Sequence, residues 1–202
     1  MSELIKELKR NRVVSLKEAI ELAGSKTTVY RFEERGEIVK IHPQGLGYFT
    51  LPEIEEGEAQ FAVIAKYYPE CVVSGKTAMS LYGLSLDYIR EIDVDIPRET
   101  NLSNGLVKVH RVVAKKINNI IKRSFKERGV PFDIKIYSAE RTLHEAYKYY
   151  KGLDAFYFAI KQYRKLYLNK KNQGELYNTI LSIDKKVGQE ILNYLAMDDV
   201  NE

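Results

Sequence analysis

Two glycines, Gly24 and Gly36, each close a short amphipathic run near the start of the chain, and they fix what its N-terminal quarter can become. Val14 precedes Ser15-Leu16-Lys17-Glu18, a capping box in which the Ser15 hydroxyl takes an early helical amide and Glu18 reaches back to the cap amide. Leu16, Ala19, Ile20 and Ala23 then fill one apolar stripe, and Gly24 supplies the positive φ that ends the helix. Ser25 caps a further helix at once, running from Lys26 through Glu33 and stopped by Gly36. Upstream, Leu4, Ile5 and Leu8 recur at helical spacing within Met1 to Asn11. Downstream, Ile38 to His42 and Tyr48 to Leu51 read as strands, joined by Pro43-Gln44-Gly45-Leu46-Gly47, a turn built of hairpin-forming residues.

Helix, tight glycine turn, helix and hairpin predict a winged helix-turn-helix over residues 1–52. In its third helix only Val29 and Phe32 are strongly apolar, so a narrow face packs inward and Lys26, Thr27, Thr28, Tyr30 and Arg31 point elsewhere. Amine, hydroxyl and guanidinium groups suit base edges and phosphates, and the amides of the turn capped by Ser25 aim at an anion. The wing, with Lys40, His42 and Gln44, is expected to follow the DNA backbone or enter the minor groove.

Glu53 to Gly57 is a short acidic connection that marks a boundary, leaving residues 58–202 as a second domain. Phe61, Ile64, Ala65 and Tyr68 mark a helix ended by Pro69, while Ile92 to Ile96, Leu106 to Val113 and Phe132 to Ile136 read as strands. Ser138 caps a helix whose buried stripe is Leu143, Ala146, Tyr147 and Tyr150, and another begins at Asp154. The segment holding Leu176, Ile180, Ile183, Val187, Ile191, Leu192 and Leu195 adds one or two capping helices. The expected fold class is therefore α+β: a winged helix-turn-helix followed by a mixed α/β domain with a small sheet flanked by helices.

Hydrophobic residues make up 45% and charged residues 30%, a balance that excludes a disordered chain. No apolar run approaches the length of a membrane span, and MSELIKELKRNR lacks an apolar signal core, so a cytoplasmic protein is expected. The lone Cys71 excludes an intrachain disulfide or a Cys-based zinc site. Between Val72 and Glu70 it reads as a small buried hydrophobe.

The net charge of +4 is too mild to announce a nucleic-acid partner, but its distribution is uneven. Lys115, Lys116, Lys122 and Arg123 lie in one basic stretch, and Lys161, Arg164 and Lys165 share a face of the helix after Asp154. These are candidate contacts to phosphate or to a negatively charged partner. A solvated basic face is the alternative.

Three constellations invite a catalytic reading. Gly75-Lys76-Thr77 resembles the end of a phosphate-binding loop, yet the glycine required five positions earlier is Glu70, and Cys71, Val72 and Val73 are too bulky to cup a phosphate. The match is accidental; Ser74 is expected to cap a helix with Ala78, Leu81 and Tyr82 inward, Lys76 solvated and Gly83 as its close. Asp93 and Asp95 match the carboxylate pair of a nucleotidyltransferase, but such a site needs a Gly-Ser turn nearer in sequence than Ser74-Gly75 and a third acid on a neighbouring strand. A solvated strand face is the expectation there. His144 and Glu145 are adjacent and so diverge by about a hundred degrees on a helix, which argues against a dyad. No catalytic residue, metal ligand or cofactor is assigned.

"VVSGKTAMSLYGL" after the predicted wing, then "IDVDIP" at 92 to 97 and "YSAERTL" at 137 to 143, resembles the AbiEi-type antitoxins, transcriptional regulators of type IV toxin-antitoxin systems. The likeness runs from "RGEIVKIHPQGLGYFTL" through the "ERTL" helix and fades after about residue 170. It departs in "ERTLHEAY", where His144-Glu145 stand in place of an aspartate expected soon after the leucine. The resemblance implies a repressor of its own operon that binds an operator, expected to be an inverted repeat, as a monomer or weak dimer. It also implies an antitoxin that neutralises a nucleotidyltransferase-like toxin without requiring a stable complex. The alternatives are a nucleotidyltransferase-like enzyme using Asp93 and Asp95, or a protein-interaction module without DNA binding.

Overall fold

Local capping chemistry starts each of the first three helices. The structure, a computed structural model, describes residues 1–41, 47–87, 89, 91–100, 102, 107–126, 131–168 and 172–197. In α1 (Glu3–Asn11) the Ser2 hydroxyl accepts from the Ile5 amide at 3.3 Å, and Leu4 and Leu8 face the core. In α2 (Leu16–Ala23) the expected capping box is complete: Ser15 Oγ accepts from the Glu18 amide at 3.2 Å, and Glu18 Oε2 accepts from the Ser15 amide at 2.9 Å. Gly24, at φ 81°, stops it in the left-handed region, where a Cβ is disfavoured. Ser25 then caps α3 (Lys26–Glu34), its Oγ accepting from the Thr28 amide at 3.1 Å.

Three short strands complete this region. β1 (Val13–Ser15), β2 (Val39–Ile41) and β3 (Tyr48–Thr50) form an antiparallel sheet in the order β1-β3-β2, with Val13 and Val39 both opposite Thr50. β2 and β3 were expected because a glycine-rich hairpin turn joins them, whereas β1 carries no such turn signal and exists through its pairing with β3. The connection holding His42 and Gln44 lies outside the described residues. Next, α4 (Glu56–Tyr67) buries Phe61, Val63 and Ile64. The Tyr67 hydroxyl donates to Glu18, and Lys66 Nζ donates to the Val13 carbonyl at 3.1 Å, so α4 is fastened to α2 and β1.

The rest of the chain contributes β4 (Val72–Val73), α5 (Gly75–Leu81), β5 (Ile92–Pro97) and β6 (Val107–Val112), then β7 (Ile120–Phe125) and β8 (Phe132–Tyr137). The strands form a sheet in the order β6-β5-β4-β8-β7, with β4 antiparallel to β5 and parallel to β8. α6 (Ala139–Tyr150), α7 (Asp154–Tyr163), a π-helical stretch Arg164–Leu168, α8 (Gln173–Ile183) and α9 (Lys185–Ala196) follow. The chain is therefore α+β, and it divides into two compact units: residues 1–71, 99–109 and 122–135, and residues 72–98, 110–121 and 136–202. The first unit has a core of Leu4, Leu8, Val13, Val29, Ile38 and Phe49, and the second one of Leu143, Phe156, Tyr163, Ile180 and Ile191. Gly188 lets α9 approach α8: a Cβ there would sit 2.8 Å from the Ile180 carbonyl oxygen.

Two expectations are corrected in the second unit. Ser74 precedes α5, but its hydroxyl makes no cap; it donates to Asp95 Oδ1 at 2.7 Å. Residues 92–96 of β5 are all buried, so Asp93 and Asp95 do not form a solvated face. Among the described residues no helix is long and apolar enough to cross a membrane.

Candidate nucleic-acid interface

Val29 is buried and anchors α3, which leaves its opposite side outward. Lys26, Thr27, Tyr30 and Arg31 are exposed, and at one hundred degrees per residue they fall within one contiguous arc. The cation of Lys26 lies 5.6 Å from the Tyr30 ring centre, which holds the two side chains together on that arc. Ser25 and Thr28 are half-buried and hydrogen-bonded to each other at 2.9 Å, so they shape the first turn while the residues between them face water. Glu34, also exposed, falls in the same arc one turn later and limits the cationic part of the face to the first two turns. Lys40, on β2, is exposed; His42 and Gln44 are outside the described residues.

The remaining basic candidates sit on separate elements. Lys115 and Lys116 are exposed on a 3-10 turn, Ala114–Lys116. On β7, Lys122 is exposed and Arg123 half-buried. Lys161 and Lys165 are exposed and Arg164 half-buried along α7 and the π-helical stretch, which keeps the three on consecutive turns as the helical spacing predicts.

A second polar constellation, which the sequence spacing did not reveal, surrounds the start of α5. Asp95 accepts from Ser74 Oγ and, at 2.8 Å, from the Tyr137 hydroxyl. Asp93 Oδ1 lies 3.0 Å from His110 Nε2, and its amide donates to Thr77 Oγ1 at 2.9 Å. The Gly75 amide, which a phosphate-binding loop would offer to its ligand, donates to Glu145 Oε2 at 3.0 Å. Gly75 has φ +52°, and a Cβ there would lie 3.3 Å from Asp93, so the turn packs directly on the carboxylate. Burial, with the nearby Asp95 charge adding, pushes the Glu145 carboxyl up to about 7 against the Gly75 amide and the Arg141 and His110 charges. The same burial and the Asp95 charge push the Tyr137 hydroxyl up. The signal in the sequence was present as two fragments, Ser74-Gly75 and Asp93-Val94-Asp95, whose contact depends on the β4–β5 pairing. Among the described residues no group of three or more His, Cys, Asp or Glu side chains is arranged to hold a metal ion.

His144 and Glu145 diverge as expected: His144 Nε2 donates to the Ile180 carbonyl at 2.9 Å, while Glu145 faces Gly75. Burial lowers the His144 pKa, against the Ile180 carbonyl that its ring N–H meets. Cys71 is buried, and desolvation pushes its thiol up to about 12, which suppresses the nucleophilic thiolate.

No protein-family model matches this chain. Nor does any curated protein. Among solved structures it is similar to the crystal structure of the RV2827C protein from Mycobacterium tuberculosis, with a TM-score of 0.51 and 14% identity over 97% of this chain and 81% of that one. At that identity the likeness speaks to the fold alone.

Proposed function

We propose that the protein is a DNA-binding repressor of its own operon, acting as the antitoxin to a nucleotidyltransferase-like toxin. The observation that carries the DNA-binding half is the outward arc of Lys26, Thr27, Tyr30 and Arg31 at the start of α3, held by a buried Val29. The order α1, β1, α2, α3, β2, β3, with β1 paired to β3, is compatible with a winged helix-turn-helix, and it supports reading α3 as the recognition helix. The antitoxin half rests on the resemblance of "VVSGKTAMSLYGL", "IDVDIP" and "YSAERTL" to the AbiEi-type antitoxins. The enzyme reading draws on the convergence of Ser74, Gly75, Asp93 and Asp95, but each of these groups already holds a partner within the protein.

Arg31→Ala is the direct test. If Arg31 reads a base edge, binding to the DNA upstream of the protein's own gene weakens by about 1–3 kcal/mol, measured by fluorescence anisotropy at fixed salt. Unchanged affinity would remove α3 from the major groove.

A further inference from the structure

The face of α6 that meets the start of α9 in the second unit borders a cavity of about 360 Å³, within the range of small-ligand sites. Its charge is unevenly neutralised. The Arg141 side chain is 21% exposed and stacks over Tyr137 at 5.1 Å; its nearest carboxylate oxygen, on Glu145, is 4.0 Å away. Its Nε is buried with no acceptor among the described residues. Lys148, exposed, has a long hydrogen bond at 3.4 Å to the Tyr149 hydroxyl and lies 4.9 Å from the centre of that ring, and no carboxylate among the described residues lies within 4.0 Å of its amine. The other charges there are engaged: Lys151 is held by Glu190 at 2.5 Å, and Asp184 caps α9 by accepting from the Val187 amide at 3.0 Å.

A half-buried guanidinium whose one nearby carboxylate is 4.0 Å away, and an exposed second cation on the same helix face with no carboxylate among the described residues within 4.0 Å, leave an excess of positive charge beside the cavity. Arg141 and Lys148 are two turns apart, a rise of about 10.5 Å, too far for one phosphate to meet both. Tyr149, 58% exposed and with the Lys148 amine 4.9 Å from its ring centre, offers an aromatic surface beside that cation. We propose that this cavity binds a nucleotide, its phosphates on Arg141 and Lys148 and its base against Tyr149. The site is independent of the operator-binding reading.

Isothermal titration of the full chain with inorganic phosphate, adenosine, AMP and ADP at low salt tests it. The expected result is ADP binding with Kd below about 1 mM, and inorganic phosphate and adenosine each weaker by about tenfold or more. Lys148→Gln is expected to weaken ADP about fivefold and Arg141→Gln to abolish it, while Tyr149→Ala weakens ADP and AMP and leaves phosphate unchanged. Should Arg141→Gln fail to fold, the two substitutions at exposed positions decide the matter. No binding of either nucleotide up to about 5 mM overturns the proposal, as does full affinity in both Lys148→Gln and Tyr149→Ala. Loss of operator affinity in Lys148→Gln without nucleotide binding by the parent would assign the cations to the DNA backbone and overturn it equally. Because the titration contains no DNA, its outcome stands whether or not the protein binds an operator.

Discussion

Glu145 is the residue at which burial and charge are most finely opposed. Its carboxyl sits near a pKa of about 7 because burial and Asp95 disfavour the charge more than the Gly75 amide, Arg141 and His110 favour it. A carboxyl raised from its ordinary 4.5 binds its proton more tightly in the folded state. Its contribution to stability is therefore complete below about pH 4.5 and is lost as pH rises through about 7. His144, whose pKa burial lowers, acts in the opposite sense: its contribution is present above about 6.5 and is lost as pH falls. The difference between the parent and Glu145→Gln isolates the carboxyl, since Gln keeps an acceptor for the Gly75 amide. We expect urea unfolding to show the variant gaining on the parent as pH rises from 4.5 to 8, by an amount on the order of a few kcal/mol. A pH-independent difference would mean that Glu145 is solvated in the folded protein.

At the scale of elements, the helix ends are the test of how locally this fold is written. Ser25→Ala removes the hydroxyl that accepts from the Thr28 amide and contacts Thr28 Oγ1, leaving an early amide of α3 without its partner. The expected loss is about 1 kcal/mol in chemical denaturation, and restoration by Ser25→Asp would identify the cap as its origin. Such ends were legible because everything that fixes them lies within four residues: the Ser15 box, the Gly24 stop, the Ser138 hydroxyl accepting from the Arg141 amide. Two strands without a hairpin signal were not. β1 and β4 have three and two residues and are strands through distant partners, Val13 with Thr50 and Val73 with Ile136. The same blindness explains Ser74 and the acids of β5. An apolar-acid alternation ordinarily marks a half-solvated strand, but here Ser74, Tyr137 and His110 arrive from other elements to meet Asp95 and Asp93. Of the interface candidates, the α3 residues were legible as a helical face, whereas the pair Arg141 and Lys148 emerges only once the carboxylates near them are placed, Glu145 on the Gly75 amide and 4.0 Å from Arg141, and Glu190 on Lys151.

For the whole molecule the governing quantity is where +4 of net charge is spent. Spread evenly, so small an excess would give DNA little to hold, and acids such as the exposed Glu53, Glu55 and Glu56 would offset part of it. Affinity for a duplex therefore depends on clusters in which cations outnumber acids, and each phosphate they neutralise releases counterions and steepens the dependence of binding on salt. Lys161 and Lys165, exposed on successive turns with Arg164 beside them, make one such cluster in the second unit. If it touches the backbone, Lys161→Ala lowers affinity for operator and unrelated DNA alike and makes the slope of log K against log salt shallower by about 0.9, one phosphate contact. Arg31→Ala is expected to differ in kind, costing more on the operator than on unrelated sequence because a base contact adds discrimination to charge. An unaltered slope for Lys161→Ala over about 50–200 mM salt would mean that Lys161 faces solvent in the complex and that α7 makes no phosphate contact through it.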